Sequence, residues 1–551
     1  VTAFLARHAF PAAIGAIAAA FLGLFFLYPV LNVFGASVLD SAGTAFTLRN
    51  YAGVLSNPFF LQALSNSLIV AAAATALAIV LGVPFAFCVA RLPIAGTSVL
   101  LALAALPLVL PSFVSAYALV LMLGRAGIVT GPLRAAGLPF ESIYGLKGIV
   151  TAFTLTLYPY VVLPAVAAFK SIDASVEEAA QNLGAPRGRT LRTVVLPLAL
   201  PSILAGGLLV FIEALENFGV PFVLAEDKPI LAVEAFKLFV GETADNPAAA
   251  GVLGVLLIAC TVAALFVQRA MLARRRYATM ARRPAPLLTV SPPVRRLGTL
   301  YCWALVGAAL VPFAAVVVIS LLAFKGPVLQ YAFSLGNFAE LFRRSYRPLV
   351  NTLALAAAAA AAATLIGVPI GYVIVRRRSR LSALLDVLAT APFAVAGTVL
   401  GIGLILAFGH GYLILTGTAA IMIIAYVVRK LPFSVRAASA ILHQIDPSLE
   451  EASINLGVAP LPTFLRVTVP LMLGGIAGGS VLVFVTVASE LSSTVVLYSG
   501  RWTTMTVAMF QALEGTSAGV AAAAATVLIL VTILPVALVY RLLRRYELST
   551  L

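Results

Sequence analysis

Apolar runs of about twenty residues, separated by short polar stretches, recur from one end of this 551-residue chain to the other. A helix needs roughly twenty apolar residues to cross a hydrocarbon core of about 30 Å. Twelve runs are predicted as spans: residues 10–34, 63–89, 97–123, 145–169, 200–224 and 248–271 in a first half, and 298–323, 349–375, 383–408, 412–438, 472–498 and 516–543 in a second. The runs are too long and too continuously apolar for barrel strands, and backbone polar groups inside a bilayer have to be satisfied within their own segment, so helices are expected. The predicted fold class is an all-α polytopic membrane protein of two tandem six-helix repeats. The first run, from Pro11 to Phe34, exceeds the roughly 7–15 apolar residues of a secretory signal and reads as an uncleaved first helix.

The polar interruptions repeat as well. Glu178-Ala179-Ala180-Gln181-Asn182-Leu183-Gly184 followed by Val194-Val195-Leu196-Pro197 returns as Glu451-Ala452-Ser453-Ile454-Asn455-Leu456-Gly457 followed by Val467-Thr468-Val469-Pro470, 273 residues later. Asn66-Ser67-Leu68, Gly82-Val83-Pro84 and Arg91 return as Asn351-Thr352-Leu353, Gly367-Val368-Pro369 and Arg376, 285 residues later, and Pro107 and Pro392 keep that spacing. The missing twelve residues fall between the third and fourth spans, where Gly124 to Tyr144 makes the first loop longer. An even number of spans per half places the two copies the same way up. The domains expected are therefore a first repeat at 1–273 with its polar loop at about 171–197, a linker at 274–297 rich in Pro and Arg, and a second repeat at 298–551 with its loop at about 444–470.

Composition and charge narrow the class. Sixty-two per cent of residues are hydrophobic and 10% charged, against about half and about a quarter in soluble domains. The net charge of +16 is not spread as a nucleic-acid footprint. Arg274, Arg275, Arg276, Arg282, Arg283, Arg295 and Arg296 lie in the linker; Arg376, Arg377, Arg378 and Arg380 follow span eight; Arg541, Arg544 and Arg545 follow span twelve. All lie on one face, which the positive-inside rule makes cytoplasmic, with both termini inside. Arg343, Arg344 and Arg347, on the opposite face, dissent. Cys88, Cys260 and Cys302 sit in or beside spans with no CxxC spacing and read as small buried hydrophobes.

Each repeated loop lies between the fourth and fifth spans of its half, on the basic face. Ser175 with Glu178, and Asp446-Pro447-Ser448 with Glu451, read as helix starts. Gly184 and Gly457 read as left-handed caps. Second short helices are expected over 187–195 and 461–467, before Pro197 and Pro470 open the next span.

These loops carry a resemblance. The chain resembles the permease subunits of type I ATP-driven, binding-protein-dependent importers, whose signature is EAA, three residues, Gly, nine residues, then an apolar residue, any residue, an apolar residue and Pro. The first copy matches throughout; the second has Ser453 for the second Ala and Val469 where Leu is usual. The resemblance implies that each loop is a coupling helix seated in a separate cytoplasmic ATPase, two copies in all, with Glu178 and Glu451 as docking carboxylates, Gly184 and Gly457 as turns, and Ala179, Ala180, Ala452, Ser453, Pro197 and Pro470 completing the motif. The chain itself has no GxxxxGK[ST] run, so no ATPase site and no cofactor are expected in it. The other partners implied are an external or periplasmic substrate-binding protein and the lipid of a bacterial-type inner membrane, and no nucleic acid.

Polar residues within spans are costly and read as functional candidates. Glu213, Glu216 and Asn217 in span five, and Ser489 and Glu490 in span eleven, are candidates for the translocation pathway; the 273-residue spacing sets Glu490 against Asn217. No His, Cys and carboxylate spacing points to a tight metal site. Fused double permeases resemble chiefly the ferric iron branch, with thiamine, aminoalkylphosphonate and polyamine importers as alternatives. An ion-coupled secondary carrier is the rival class, but it gives no reason for the duplicated loop.

Overall fold

The computed structural model describes residues 2–40, 45–125, 127–137, 141–240, 246–273, 286–325, 328–344, 346–377, 379–514 and 518–549. The linker arginines Arg274, Arg275, Arg276, Arg282 and Arg283, and also Arg378, lie outside the described residues.

Helix dominates, as the apolar runs require. Among the described residues, nine helices are long and apolar enough to cross a membrane: Phe10–Val38, Pro58–Arg91, Leu146–Ser171, Arg187–Glu216, Pro247–Met271, Pro292–Ser320, Arg347–Arg376, Pro460–Ala488 and Ala518–Val539. Two more expected spans are bent pairs. Thr97–Val109 meets Ser112–Leu123 at 93°, and Arg380–Ala394 meets Gly397–Phe408 at 107°. The bends fall 285 residues apart, at Leu110-Pro111 and Val395-Ala396. In the first, Pro111 has no N–H to continue the ladder and restricts the residue before it to extended backbone, which Leu110 adopts at φ −82°, ψ 143°. The tenth expected span is the helix Ala419–Leu442, set apart from the nine by its three cations, Arg429, Lys430 and Arg436.

One element lies outside the all-helical expectation. Leu322–Lys325 and Val328–Phe333 form an antiparallel pair of strands after span seven; the aromatic residues Phe324, Tyr331 and Phe333 suit a strand, and the run is too short to span. The Asn337 side chain donates to Ser320 O (3.0 Å) and Leu322 O (2.7 Å). Asn50 makes the same pair of bonds, to Ser37 O (3.0 Å) and Leu39 O (2.8 Å).

The described chain forms two compact units that do not follow the two sequence halves. One comprises 1–51, 235–255 and 320–551. In it span one packs among spans of the second repeat: Phe10 lies 6.3 Å from the ring of Tyr372 and 5.7 Å from that of Phe464, and a side-chain carbon on Gly403 would meet Pro29 O at 2.7 Å. Gly367 and Gly371, one turn apart, let span eight approach span ten closely; a Cβ on Gly371 would stand 3.0 Å from Val435 O. The other unit comprises 52–234 and 256–319. There span seven lies against span two, with Tyr301 OH donating to Leu81 O at 2.6 Å and a Cβ on Gly298 falling 3.5 Å from Cys88 Sγ. The first span of each repeat is thus built into the unit that holds most of the other repeat.

The repeated Asn-Ser/Thr pair is a clasp. In one unit the Asn66 amide donates to Pro229 O (3.0 Å) and Ser67 Oγ accepts from Leu231 N (2.9 Å). In the other, Asn351 donates to Arg501 O (3.0 Å) and Thr503 O (2.9 Å), while Thr352 Oγ1 accepts from Met505 N (2.8 Å). Each clasp fastens the early part of span two or eight to the segment that follows span five or eleven. Asn66→Leu strands a buried carbonyl and is expected to cost about 1–3 kcal/mol, read as a lower melting temperature in detergent.

Candidate functional site

The repeated loops fold alike from the residues upward. The helices Ala174–Asn182 and Ser448–Asn455 begin behind Asp173 and Asp446, whose Oδ1 atoms each accept a backbone N–H, from Ser175 and Ser448 respectively, at 2.9 Å. The first start therefore corrects the sequence expectation: Asp173, not Ser175, is the cap. The bonds from Ser448 hold the Asp446 carboxyl below its ordinary range. Both helices close in the same way. Gly184 N reaches Gln181 O (2.8 Å) and Ala185 N reaches Ala180 O (3.0 Å); Gly457 N reaches Ile454 O (2.9 Å) and Val458 N reaches Ser453 O (3.2 Å). This Schellman pattern needs a left-handed residue, supplied by Gly184 at φ 83° and Gly457 at φ 88°.

The second short helices are not separate. Arg187–Thr190 and Pro460–Thr463 pass through π-helical turns, Leu191–Val195 and Phe464–Thr468, directly into the helices that carry Pro197 and Pro470. A proline inside a helix cannot donate and crowds the carbonyl four residues back, and a wider turn relieves both. Each loop thus continues without a helical break into span five or eleven.

The outer face of each loop is shared between charge and an apolar tip. Glu178, Ala179, Glu451 and Ala452 are exposed, Ala180 is half-exposed, and Ser453 shares a hydrogen bond of 3.0 Å with Thr463. Leu183 and Leu456 are 89% and 85% exposed. Sequence reasoning missed these two leucines as exposed tips, although an apolar side chain at the same place in two polar stretches was the available signal.

The inner face holds a second, unforeseen pair of carboxylates. Glu177 is buried against Arg91, whose Nη2 donates to both carboxylate oxygens. Glu450 accepts from Arg376 Nε and from Tyr372 OH, each at 3.0 Å, and Arg376 Nη2 also donates to Ile445 O. Arg91 and Arg376 are the basic residues that close the repeated end of spans two and eight.

The polar residues within the spans form braces. The helix Leu196–Glu216 carries half-buried Glu213 and buried Glu216 in its last turns, near Tyr160 of span four, and breaks at Asn217. Asn217 Nδ2 donates to Ser112 Oγ, at the bend of span three (3.2 Å), while its Oδ1 accepts from Val220 N (3.0 Å). The helix Val469–Ala488 breaks at Ser489, and Glu490 does the corresponding work with charge: it accepts from Ser493 N (3.2 Å) and pairs with Arg429 (2.8 Å) and Lys430 (2.9 Å). Arg429 packs into the bend of span nine, where a Cβ on Gly397 would collide with its guanidinium. Both Glu490 oxygens are thereby engaged, and the carboxylate braces the break. Ser489 bonds back to Val485 O (2.9 Å). Among the described residues, no group of three or more His, Cys, Asp or Glu is placed to hold a metal ion.

Multi-pass membrane helices and a loop of the same fold in each half mark the chain as a tandem membrane permease. It belongs to the family of binding-protein-dependent transport system inner membrane components, which it matches twice, over 78–277 and 363–547. It is 30% identical over 485 residues to the putative ferric transport system permease protein FbpB 1 of Haemophilus influenzae, covering 86% of this chain and 76% of that protein. It is 31% identical over 531 residues to the ferric transport system permease protein FbpB of Actinobacillus pleuropneumoniae, covering 94% and 76%. Among solved structures, a bacterial alginate ABC transporter in complex with an alginate pentasaccharide-bound periplasmic protein matches half of this chain and 98% of its own at 16% identity and a TM-score of 0.41.

Proposed function

We propose that this chain is the permease of an ATP-driven importer of ferric iron, with both termini cytoplasmic. Two separate ATPase subunits seat on its repeated loops and an external binding protein delivers the substrate. The observation that carries the coupling role is the pair of loops with the same fold: a short helix, a left-handed glycine, an exposed leucine and an outward glutamate, each continuous with a spanning helix. Leu183 and Leu456 supply apolar contact to a cleft, and Glu178 and Glu451 supply charge. Closure of the ATPases would move both loops and rotate the bundles between inward-facing and outward-facing states. Support for iron comes from the ferric permeases named above, and Glu213 and Glu216 are the pathway carboxylates suited to a hard cation.

The test is uptake by proteoliposomes holding the chain and its ATPase subunits, supplied with a ferric-loaded binding protein. ATP-dependent iron uptake is expected. Uptake driven instead by thiamine, aminoalkylphosphonate or polyamine delivery would replace the substrate reading; uptake driven by an ion gradient without ATP would replace the class.

A further inference from the structure

The coupling helices have little grip on the rest of the chain. In Ala174–Asn182 the buried residues are Ala174 and Glu177, and in Ser448–Asn455 Glu450 alone is buried. Any displacement of these helices enters the membrane domain through very few side chains. One route is the continuous helix into span five or eleven. The other is an ion pair to span two or eight: Arg91 with Glu177, their side chains 2% and 11% exposed, and Arg376 with Glu450, 12% and 8% exposed. Charge-assisted hydrogen bonds of this kind are roughly twice as strong as neutral ones. Their burial means that neither partner can swing away into water without leaving an uncompensated charge.

The pairs recur in both units although their neighbours differ. Arg91 also donates to Phe169 O, and Arg376 to Ile445 O, each a carbonyl just ahead of the coupling helix. The same two spans bear the Asn66-Ser67 and Asn351-Thr352 clasps toward their opposite ends. The helices Pro58–Arg91 and Arg347–Arg376 are continuous between the two fastenings, with Pro84 and Pro369 at matching places inside them. Twenty-five residues separate Asn66 from Arg91, and Asn351 from Arg376, which at helical rise is about 38 Å. Each is a rod fixed at one end to a coupling helix and near the other to the segment after the break at Asn217 or Glu490.

We propose that Arg91–Glu177 and Arg376–Glu450 are the links through which the ATPase stroke enters spans two and eight, which carry it to the clasped segments across the membrane. The proposal rests on the coupling role given to the loops above. These four residues act through the rod, so they are positioning residues, distinct from the outward Glu178 and Glu451 that meet the ATPase.

The experiment uses the full complex in proteoliposomes and reads three quantities: ATPase subunits retained on purification, ATP hydrolysis, and substrate taken up per ATP hydrolysed. In Glu177→Gln with Glu450→Gln, retention is expected to hold while uptake per ATP falls by about tenfold, within the range of ordinary coupling energies. Exchanging the charges within both pairs, Arg91→Glu with Glu177→Arg and Arg376→Glu with Glu450→Arg, is expected to restore part of that loss. If the glutamine variant does not reach the membrane, Glu177→Asp with Glu450→Asp keeps the charge one methylene short and is expected to lower uptake per ATP by about threefold. Unchanged uptake per ATP in a properly inserted variant overturns the link. So does loss of the ATPase subunits, which would make the pairs docking residues, or failure of both variants to insert, which would make them determinants of the fold. A wild-type complex that hydrolyses no ATP in response to the loaded binding protein defeats the coupling role itself and is distinguished by that control.

Discussion

Replacing Gly184 and Gly457 together with valine is expected to abolish ATP-driven uptake while leaving the chain inserted in the membrane. Both glycines lie at φ above 80°, and a side-chain carbon at either would meet open space. The obstacle is therefore conformational rather than steric. An L-residue in the left-handed region costs roughly 1–2 kcal/mol, more for a β-branched one, and the loop can relieve it by unwinding its exposed turn. Unwinding breaks the bonds from Gly184 to Gln181 and from Ala185 to Ala180, and turns Leu183 and Leu456 away from the surface they present. Membrane level, detergent melting temperature and uptake separate the outcomes. A variant with normal uptake would show that the turn geometry has no part in coupling.

The second large effect is expected at Glu490. Glu490→Gln leaves Arg429 and Lys430, 11% and 14% exposed, with their shared counter-charge removed. Removing one partner from a buried pair typically costs about 3–5 kcal/mol because the remaining charge is stranded. The variant should accumulate poorly and melt well below the wild type, whereas Asn217→Leu at the corresponding neutral brace should cost only about 1–3 kcal/mol. Equal losses at the two positions would refute the distinction between a charged and a neutral brace. Combining Glu490→Gln with Arg429→Gln and Lys430→Met should recover much of the loss, since the stranded charges are then gone.

The two braces also revise how the polar residues inside the spans are understood. In sequence, Glu213, Glu216, Asn217, Ser489 and Glu490 form one class, polar groups where apolar ones are cheaper. Their environments divide them. Asn217 and Glu490 stitch helix breaks to the bends of spans three and nine, and Ser489 bonds to its own helix. Glu213 and Glu216 remain on the last turns of span five beside Tyr160.

What the sequence determined by itself follows from local physics. Bilayer thickness sets the length of an apolar run, so the helical class and nearly every span could be read directly. The tenth was read in the same way, as an apolar run long enough to span despite its three cations. Capping chemistry and the left-handed glycine are equally local, and they marked both loop helices to within a residue or two. Exact repetition at 273 and 285 residues paired the halves and singled out Arg91, Arg376, Asn66 and Asn351 before any partner was known.

Only the tertiary structure decided what those residues hold. The partners of Arg91 and Asn66 lie 86 and 163 residues away, and apolar patterning carries no information about which distant helix a polar side chain meets. For the same reason the exchange of first spans between the units was invisible: a spanning helix with apolar residues on every face is compatible with more than one neighbour. Close approach at glycines such as Gly403 and Gly371, which fixes the neighbours, depends on shape rather than on sequence spacing. The inward turn of Glu177 and Glu450, one residue from the outward Glu178 and Glu451, is likewise set by the 100° rotation between successive helical residues, and its meaning appears only when the arginine at the end of the rod is in place.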